Sequence, residues 1–135
     1  MAIPERTPKV LLIGDSIKIG YSPFVKEELK DTAQTVYLKE NGRFSAFVLR
    51  MLYDCYHSPD IGTDVDLIYW NCGLWDVLRI MNRARIQTDD LYQVTVGLPR
   101  EYHSDWTHYT QEGYQYIARH VAETIKAELG KDKEQ

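Results

Sequence analysis

The chain has 135 residues, which suits one globular domain. Hydrophobic residues make up 44% of it, charged residues make up 27%, and the formal net charge is −4. This acidic balance argues against a protein that binds nucleic acid or an anionic membrane, because both attract clustered lysine and arginine. No signal peptide or stretch of transmembrane length is visible, so the sequence predicts a cytoplasmic protein that does not enter a membrane.

A strand and a helix are predicted near the start of the chain. The apolar run at 9–13 ends at Gly14 and is typical of a strand buried on both faces. Ser22 followed by Pro23 predicts a helix that begins there and runs to about Asp31, because serine caps helices and proline suits their first position.

Another strand, an amphipathic helix and a third strand are predicted next. Residues 35–38 form a short apolar stretch that predicts the second strand. From Phe44 to Cys55 the apolar residues recur at helical spacing, which predicts a helix with Cys55 in the core. Residues 65–70 are rich in β-branched and aromatic side chains and predict the third strand.

The second half of the chain is less regular until its last helix. Residues 77–85 predict a short helix, Ile86 begins a brief strand, and residues 89–94 form a helical turn. A long amphipathic helix is predicted from about Thr110, with residues 131–135 as a frayed tail. No repeat or linker interrupts residues 1–135, so we expect one domain.

Strands that alternate with helices predict an α/β fold, a mostly parallel sheet between two helical layers. In such sheets the functional site lies beyond the carboxyl ends of the strands. Three short segments follow the predicted strands directly: Gly14–Asp15–Ser16, Asn41–Gly42 and Asn71–Cys72–Gly73. We therefore expect these segments to meet at one edge of the sheet.

Three residues in these patterns could carry nucleophilic chemistry. A serine at the position of Ser16 can present its hydroxyl at the sheet edge, but it needs an adjacent base to react. Asp105 and His108 stand three residues apart before the last helix, so one turn can hold both side chains on the same side. In that arrangement the histidine takes the serine proton and the aspartate holds the histidine tautomer. The alternatives are a helix cap or phosphate-binding turn at the serine, and ordinary loop roles for the other two residues.

Four blocks in this order resemble the GDSL/SGNH hydrolase family. They are Gly14–Asp15–Ser16, the glycine of Asn41–Gly42–Arg43, Cys72–Gly73–Leu74–Trp75–Asp76 and Asp105–Trp106–Thr107–His108. The resemblance implies a flavodoxin-like three-layer α/β/α sandwich and a serine esterase that works through an acyl-enzyme. A small-acyl ester, such as acetyl on a carbohydrate, is the implied substrate. Neither a metal nor a cofactor is expected, since the sequence contains no metal-ligand spacing and no phosphate-binding P-loop.

The resemblance also implies a role for each matched residue. Ser16 would attack the ester carbonyl, His108 would act as the general base, and Asp105 would orient the imidazole. The backbone N–H groups of Ser16 and Gly42 would donate to the oxyanion. Asp15, in the first block, counts among the expected oxyanion and substrate-binding residues.

Two departures from the family pattern bear on the site and the fold. Trp75 stands where the family has the asparagine of its oxyanion hole, and either lines an acyl or sugar pocket or simply packs. Asn71 lies four residues earlier, and it either supplies that amide or satisfies nearby backbone groups. Residues 77–104 are too few for the strand and two helices usual there, so we expect the fold to lack a strand. The third strand would then be an edge, which predicts a homodimer that covers it.

These departures leave two other functions open. A chain without the family's asparagine and with a shortened domain could be a binding or structural protein on the same scaffold, with its hydrolysis crippled. An acyltransferase would use the same serine with an alcohol replacing water, and the sequence does not separate it from a hydrolase.

Overall fold

The computed structural model describes residues 6–42, 45–71, 87, 89–105 and 107–131, without the side chains of residues 45 and 46. The strands are β1 (Lys9–Gly14), β2 (Gln34–Tyr37) and β3 (Leu67–Asn71). The helices are α1 (Ser16–Glu28), α2 (Ser45–His57), α3 (Leu91–Thr95) and α4 (Gln111–Lys131), with a 3₁₀ turn at Arg100–Tyr102. The predicted α/β class and parallel sheet are confirmed.

The central strand β1 separates two apolar cores. The sheet order is β2-β1-β3, and β1 pairs in parallel with both neighbours. Because successive side chains of a strand point to opposite faces, Val10 and Leu12 pack with α1 and α4, whereas Leu11 and Ile13 pack with α2. Helices therefore cover both faces of the sheet, and the described residues form three layers.

The predicted start of the first helix is wrong. The helix begins at Ser16, not at Ser22, because the carboxylate of Asp15 accepts a hydrogen bond from the Ile17 N–H at 3.0 Å and caps the new turn. Pro23 lies inside α1 and is exposed. The Ser22 hydroxyl is buried and donates to the Lys18 carbonyl at 2.6 Å, so it serves the helix interior rather than its start.

The other predicted elements lie within a few residues of the observed ones. Cys55 is a buried free thiol on α2, as predicted. The last helix continues to Lys131, which the sequence had placed in the frayed tail. The helix predicted at 77–85 and the strand predicted at Ile86 lie outside the described residues, so the missing strand stays a prediction, as does the single domain. In the described ranges, no helix is both long and apolar enough to cross a membrane.

A polar cluster that the sequence did not predict joins three elements. The Tyr69 hydroxyl on β3 donates to one oxygen of Asp89 at 2.6 Å, and Nε2 of His120 on α4 lies 2.7 Å from the other. Burial raises the pKa of Tyr69 above its ordinary value, so the hydroxyl remains a donor. The cluster ties the segment before α3 to the sheet and to the last helix.

Candidate active site

The ends of the three strands meet, as the sequence predicts. The Gly42 N–H, after β2, donates to the Gly14 carbonyl at the end of β1 over 2.7 Å. On the other side, the Asp15 N–H donates to the Asn71 carbonyl at the end of β3 over 3.2 Å. The turn that carries Ser16 is therefore held by backbone hydrogen bonds from both neighbouring strand ends.

Two glycines permit this close approach of three backbones. A Cβ atom on Gly14 would overlap the carbonyl oxygen of Asn71. A Cβ atom on Gly42 would lie 2.6 Å from the carbonyl oxygen of Gly14. Both contacts are with backbone, which cannot rotate away as a side chain does. Any larger residue at either position would push the strand ends apart.

Helix packing brings the end of the chain to the same place. The ring of Tyr114, in the first turns of α4, lies directly against the Cα of Gly20 on α1. The Thr110 N–H donates to the Tyr102 carbonyl at 2.8 Å, which joins the start of α4 to the 3₁₀ turn. The loop between them, which contains His108, is therefore held beside the N-terminus of α1.

The three candidate catalytic residues form one hydrogen-bonded chain. Nε2 of His108 lies 3.1 Å from the Ser16 hydroxyl oxygen, although the two residues are 92 positions apart. Nδ1 of the same imidazole lies 2.9 Å from Oδ2 of Asp105. These are the contacts that general-base activation of a serine requires. The side chains of His108 and Asp105 remain 41% and 49% exposed, so solvent reaches the dyad.

The turn around Asp105 fixes its charge. Its Oδ1 accepts from the Thr107 N–H and from the His108 N–H, both at 2.7 Å. Hydrogen bonds from the Thr107 backbone, the His108 side chain and the His108 backbone lower the pKa of Asp105 to about 2. The carboxylate therefore stays ionised wherever the imidazole can act as a base.

This lowered pKa predicts a pH-dependent effect of Asp105→Asn on stability. Since the folded-state pKa lies below the ordinary carboxyl value of about 3.9, the ionised carboxylate stabilises the fold above that pH. The stabilisation is lost as the pH falls towards about 2. We expect Asp105→Asn to unfold at lower urea concentration than the wild type at pH 7, with the difference shrinking on acidification through this window. A difference that stays constant with pH would contradict this assignment.

The structure gives the predicted oxyanion residues different positions. Ser16 is the first residue of α1, so its N–H has no carbonyl one turn earlier in the helix and lies at the positive end of the helix dipole. The Gly42 N–H donates to the Gly14 carbonyl in this structure, and its role as an oxyanion donor stays a prediction. Asp15 caps α1, and the Asn71 amide donates to it at 3.3 Å, so Asn71 satisfies a nearby polar group. Trp75 lies outside the described residues.

An open cleft of about 610 Å³ lies beside the dyad. Its lining residues are Leu98, Arg100, His103, Ser104 and Asp105. The sequence did not single out Arg100 or Ser104, because neither belongs to a recognisable motif. The residues that line the cleft include hydrogen-bond donors, the guanidinium of Arg100 and the carboxylate of Asp105. In the described part of the chain, no group of three or more His, Cys, Asp or Glu side chains could hold a metal ion.

Comparisons with known proteins add no family to this picture. The chain matches no protein-family model, and a search of curated proteins finds no match either. The likeness to GDSL/SGNH hydrolases therefore stays a prediction from the four sequence blocks.

Proposed function

We propose that this protein is a serine hydrolase that cleaves small-acyl esters through Ser16, His108 and Asp105. One observation carries the proposal: a serine hydroxyl, an imidazole and a carboxylate are joined by contacts of 3.1 Å and 2.9 Å. The same order of groups activates a serine on several unrelated folds.

In the proposed reaction, the Ser16 oxygen attacks the ester carbonyl carbon while its proton passes to Nε2 of His108. Asp105 accepts the Nδ1–H and stabilises the imidazolium that forms. The imidazolium then gives its proton to the alkoxide oxygen, so the alcohol leaves and an acyl-Ser16 ester remains. Water, deprotonated by the same imidazole, attacks this ester and releases the carboxylic acid and free Ser16.

The negative oxygen of the tetrahedral intermediate needs donors that point at it. We assign this role to the Ser16 N–H at the N-terminus of α1, where the helix dipole favours negative charge. Gly42 contributes by close packing against Gly14, and its N–H donates to the Gly14 carbonyl. In this proposal the first-block residue Asp15 acts as a helix cap.

A substrate with a hydroxyl-rich alcohol half, such as an acetylated carbohydrate, suits the hydrogen-bonding side chains in the cleft beside Asp105. Arg100, His103 and Ser104 line this cleft and can donate to ring oxygens and hydroxyls. The cytoplasmic location and the lack of nucleic-acid and membrane partners stay predictions from the sequence. An acyltransferase would share the first half-reaction and differ only in the acceptor.

A non-catalytic binding protein is the second candidate function. The observation in its favour is that the Gly42 N–H is already bonded to the Gly14 carbonyl, which leaves fewer donors for an oxyanion. Such a protein would keep the contact between Ser16 and His108 without turning over esters.

A fluorophosphonate probe distinguishes these two functions. We expect the probe to phosphonylate Ser16, because its reaction needs the same activated hydroxyl as ester cleavage. Peptide mass spectrometry of the labelled chain should place the adduct on Ser16, and heat-denatured protein should remain unlabelled. Native protein that stays unlabelled would favour the binding function.

We also propose that two copies of the chain associate through the edge formed by β3. Within the described residues, β3 pairs only with β1, and its side chains Ile68 and Trp70 are 52% and 37% exposed. A second β3 could extend the sheet across this edge and cover both side chains. Light scattering at micromolar concentration should give twice the mass of one chain, and Ile68→Arg should reduce it to that of the monomer. A wild-type monomer would contradict the proposal.

A further inference from the structure

One buried cation lies next to the candidate nucleophile and takes no part in the reaction described above. Lys18 is in the first turn of α1, and its side chain is fully buried, with 0% relative exposure. Its ammonium donates to the Leu38 carbonyl at 2.7 Å and to the Glu40 carbonyl at 3.1 Å. In the part of the chain that the structure describes, no carboxylate lies within ion-pair distance of it.

Burying a lysine ammonium costs folding free energy, because the charge loses its hydration, unless hydrogen bonds inside the protein compensate for that loss. Burial lowers the pKa of Lys18, with a smaller opposing effect of the Asp15 charge. A leucine or methionine of similar length would fill the same space without that cost. The position of the Leu38 and Glu40 carbonyls therefore indicates which part of the fold the Lys18 ammonium stabilises.

Both carbonyls belong to the loop that connects β2 to Gly42. The Gly42 N–H bonds to the Gly14 carbonyl, and Gly14 is joined to Ser16 through Asp15. The contacts therefore form a closed circuit around the site. Lys18 joins α1 to the loop, Gly42 joins the loop to the end of β1, and the chain itself joins β1 to Ser16 at the start of α1. The Cβ of Lys18 also lies 3.0 Å from the position that a Cβ on Gly14 would take. The first turn of α1 therefore packs tightly against the end of β1.

We propose that Lys18 is a positioning residue, which holds the loop at 38–42 against the end of β1 and so fixes the Ser16 hydroxyl relative to His108. This inference rests on the proposed serine chemistry for its catalytic meaning. A displacement of about 1 Å in an active site can reduce the rate by about 100-fold. The hydrogen bonds of Lys18 can therefore affect turnover even though Lys18 touches no substrate.

The test compares Lys18→Met with Lys26→Met, a matched change at an exposed lysine on the same helix. For Lys18→Met we expect the Gly42 amide to exchange hydrogen at least about tenfold faster than the loss of global stability explains. We expect kcat for p-nitrophenyl acetate, per folded molecule, to fall by about 10- to 100-fold, with KM within about twofold. Lys18→Arg, which keeps the donors, should recover part of both losses, and Lys26→Met should change neither.

The outcomes separate this inference from the proposed function. If Lys18→Met only lowers global stability, with Gly42 exchange and kcat per folded molecule unchanged, the positioning role is wrong. If the wild type neither hydrolyses esters nor reacts with the fluorophosphonate, the proposed hydrolase function is wrong. Hydrogen exchange at the Gly42 amide still tests whether Lys18 holds the loop at 38–42 in place. If neither Lys18 variant folds, hydrogen exchange of the wild type is the test. Its Gly42 amide should exchange only through global unfolding. Exchange of that amide by local opening would overturn the inference.

Discussion

Replacing Ser16 by alanine is expected to reduce ester hydrolysis by at least about 10⁴-fold, because in the proposed reaction Ser16 forms the acyl-enzyme. The rate of p-nitrophenyl acetate cleavage, measured against buffer, checks this result. The fold should persist, since the Oγ of Ser16 bonds to His108 and supports no other described residue. Circular dichroism of the variant should therefore match the wild type.

Two further variants make this experiment specific. His108→Ala should lose a similar amount of activity, and the double variant should lose little more, since the two residues act as one unit. Ser58→Ala should retain wild-type activity, because Ser58 lies in the turn after α2, and the Ile61 carbonyl of that turn accepts from Lys9 at the start of β1, away from Ser16. If Ser16→Ala hydrolyses the ester as fast as the wild type, the proposed nucleophile is wrong.

Replacing Gly14 by alanine is expected to cost about 3 kcal/mol of folding free energy. The new methyl group would overlap the carbonyl oxygen of Asn71, so β1 and β3 would have to separate at the site. Because that separation also moves Ser16, activity per folded molecule should fall together with stability. Urea unfolding measures the loss of stability, and the rate of fluorophosphonate labelling measures the loss of reactivity at Ser16.

Gly97→Ala is the matched control for this substitution. Apart from its two chain neighbours, no described residue has an atom within 4 Å of a Cβ built on Gly97, so the change should leave stability within about 0.5 kcal/mol. Gly42→Ala should resemble Gly14→Ala, since its methyl group would meet the Gly14 carbonyl at 2.6 Å. A Gly14→Ala protein that is as stable and as reactive as the wild type would contradict the packing argument.

The sequence could predict the sheet and the hydrogen-bonded chain of Ser16, His108 and Asp105 because both depend on strong local patterns. A continuous apolar run such as 9–13 predicts a buried strand, and parallel strands place the residues after them at one edge. Ser16 after such a strand, and Asp105 three residues before His108, are patterns with few other uses in combination. The contacts at 3.1 Å and 2.9 Å agree with that prediction.

The parts that could not be predicted depend on contacts between distant residues. Asp15 and Ser22 are both good helix caps, and nothing near them in the sequence shows that Asp15 caps the Ile17 N–H while the Ser22 hydroxyl donates to Lys18 inside α1. Nothing near Lys18 in the sequence indicates that its ammonium reaches Leu38, and nothing near Gly42 indicates that its N–H is taken by Gly14. The cluster of Tyr69, Asp89 and His120 is equally invisible, because its members come from separate segments.

The partial exposure of the His108 and Asp105 side chains, 41% and 49%, has a consequence for the fate of an acylated serine. Bulk solvent is present at a concentration far above that of any competing alcohol, and it reaches the imidazole without crossing a closed pocket. Release of the acid should therefore outpace transfer to a second alcohol, unless that alcohol is bound in place. If Ser16 forms the proposed acyl-enzyme, that intermediate should be short-lived, and the proposed hydrolase should remove acyl groups faster than it transfers them between molecules.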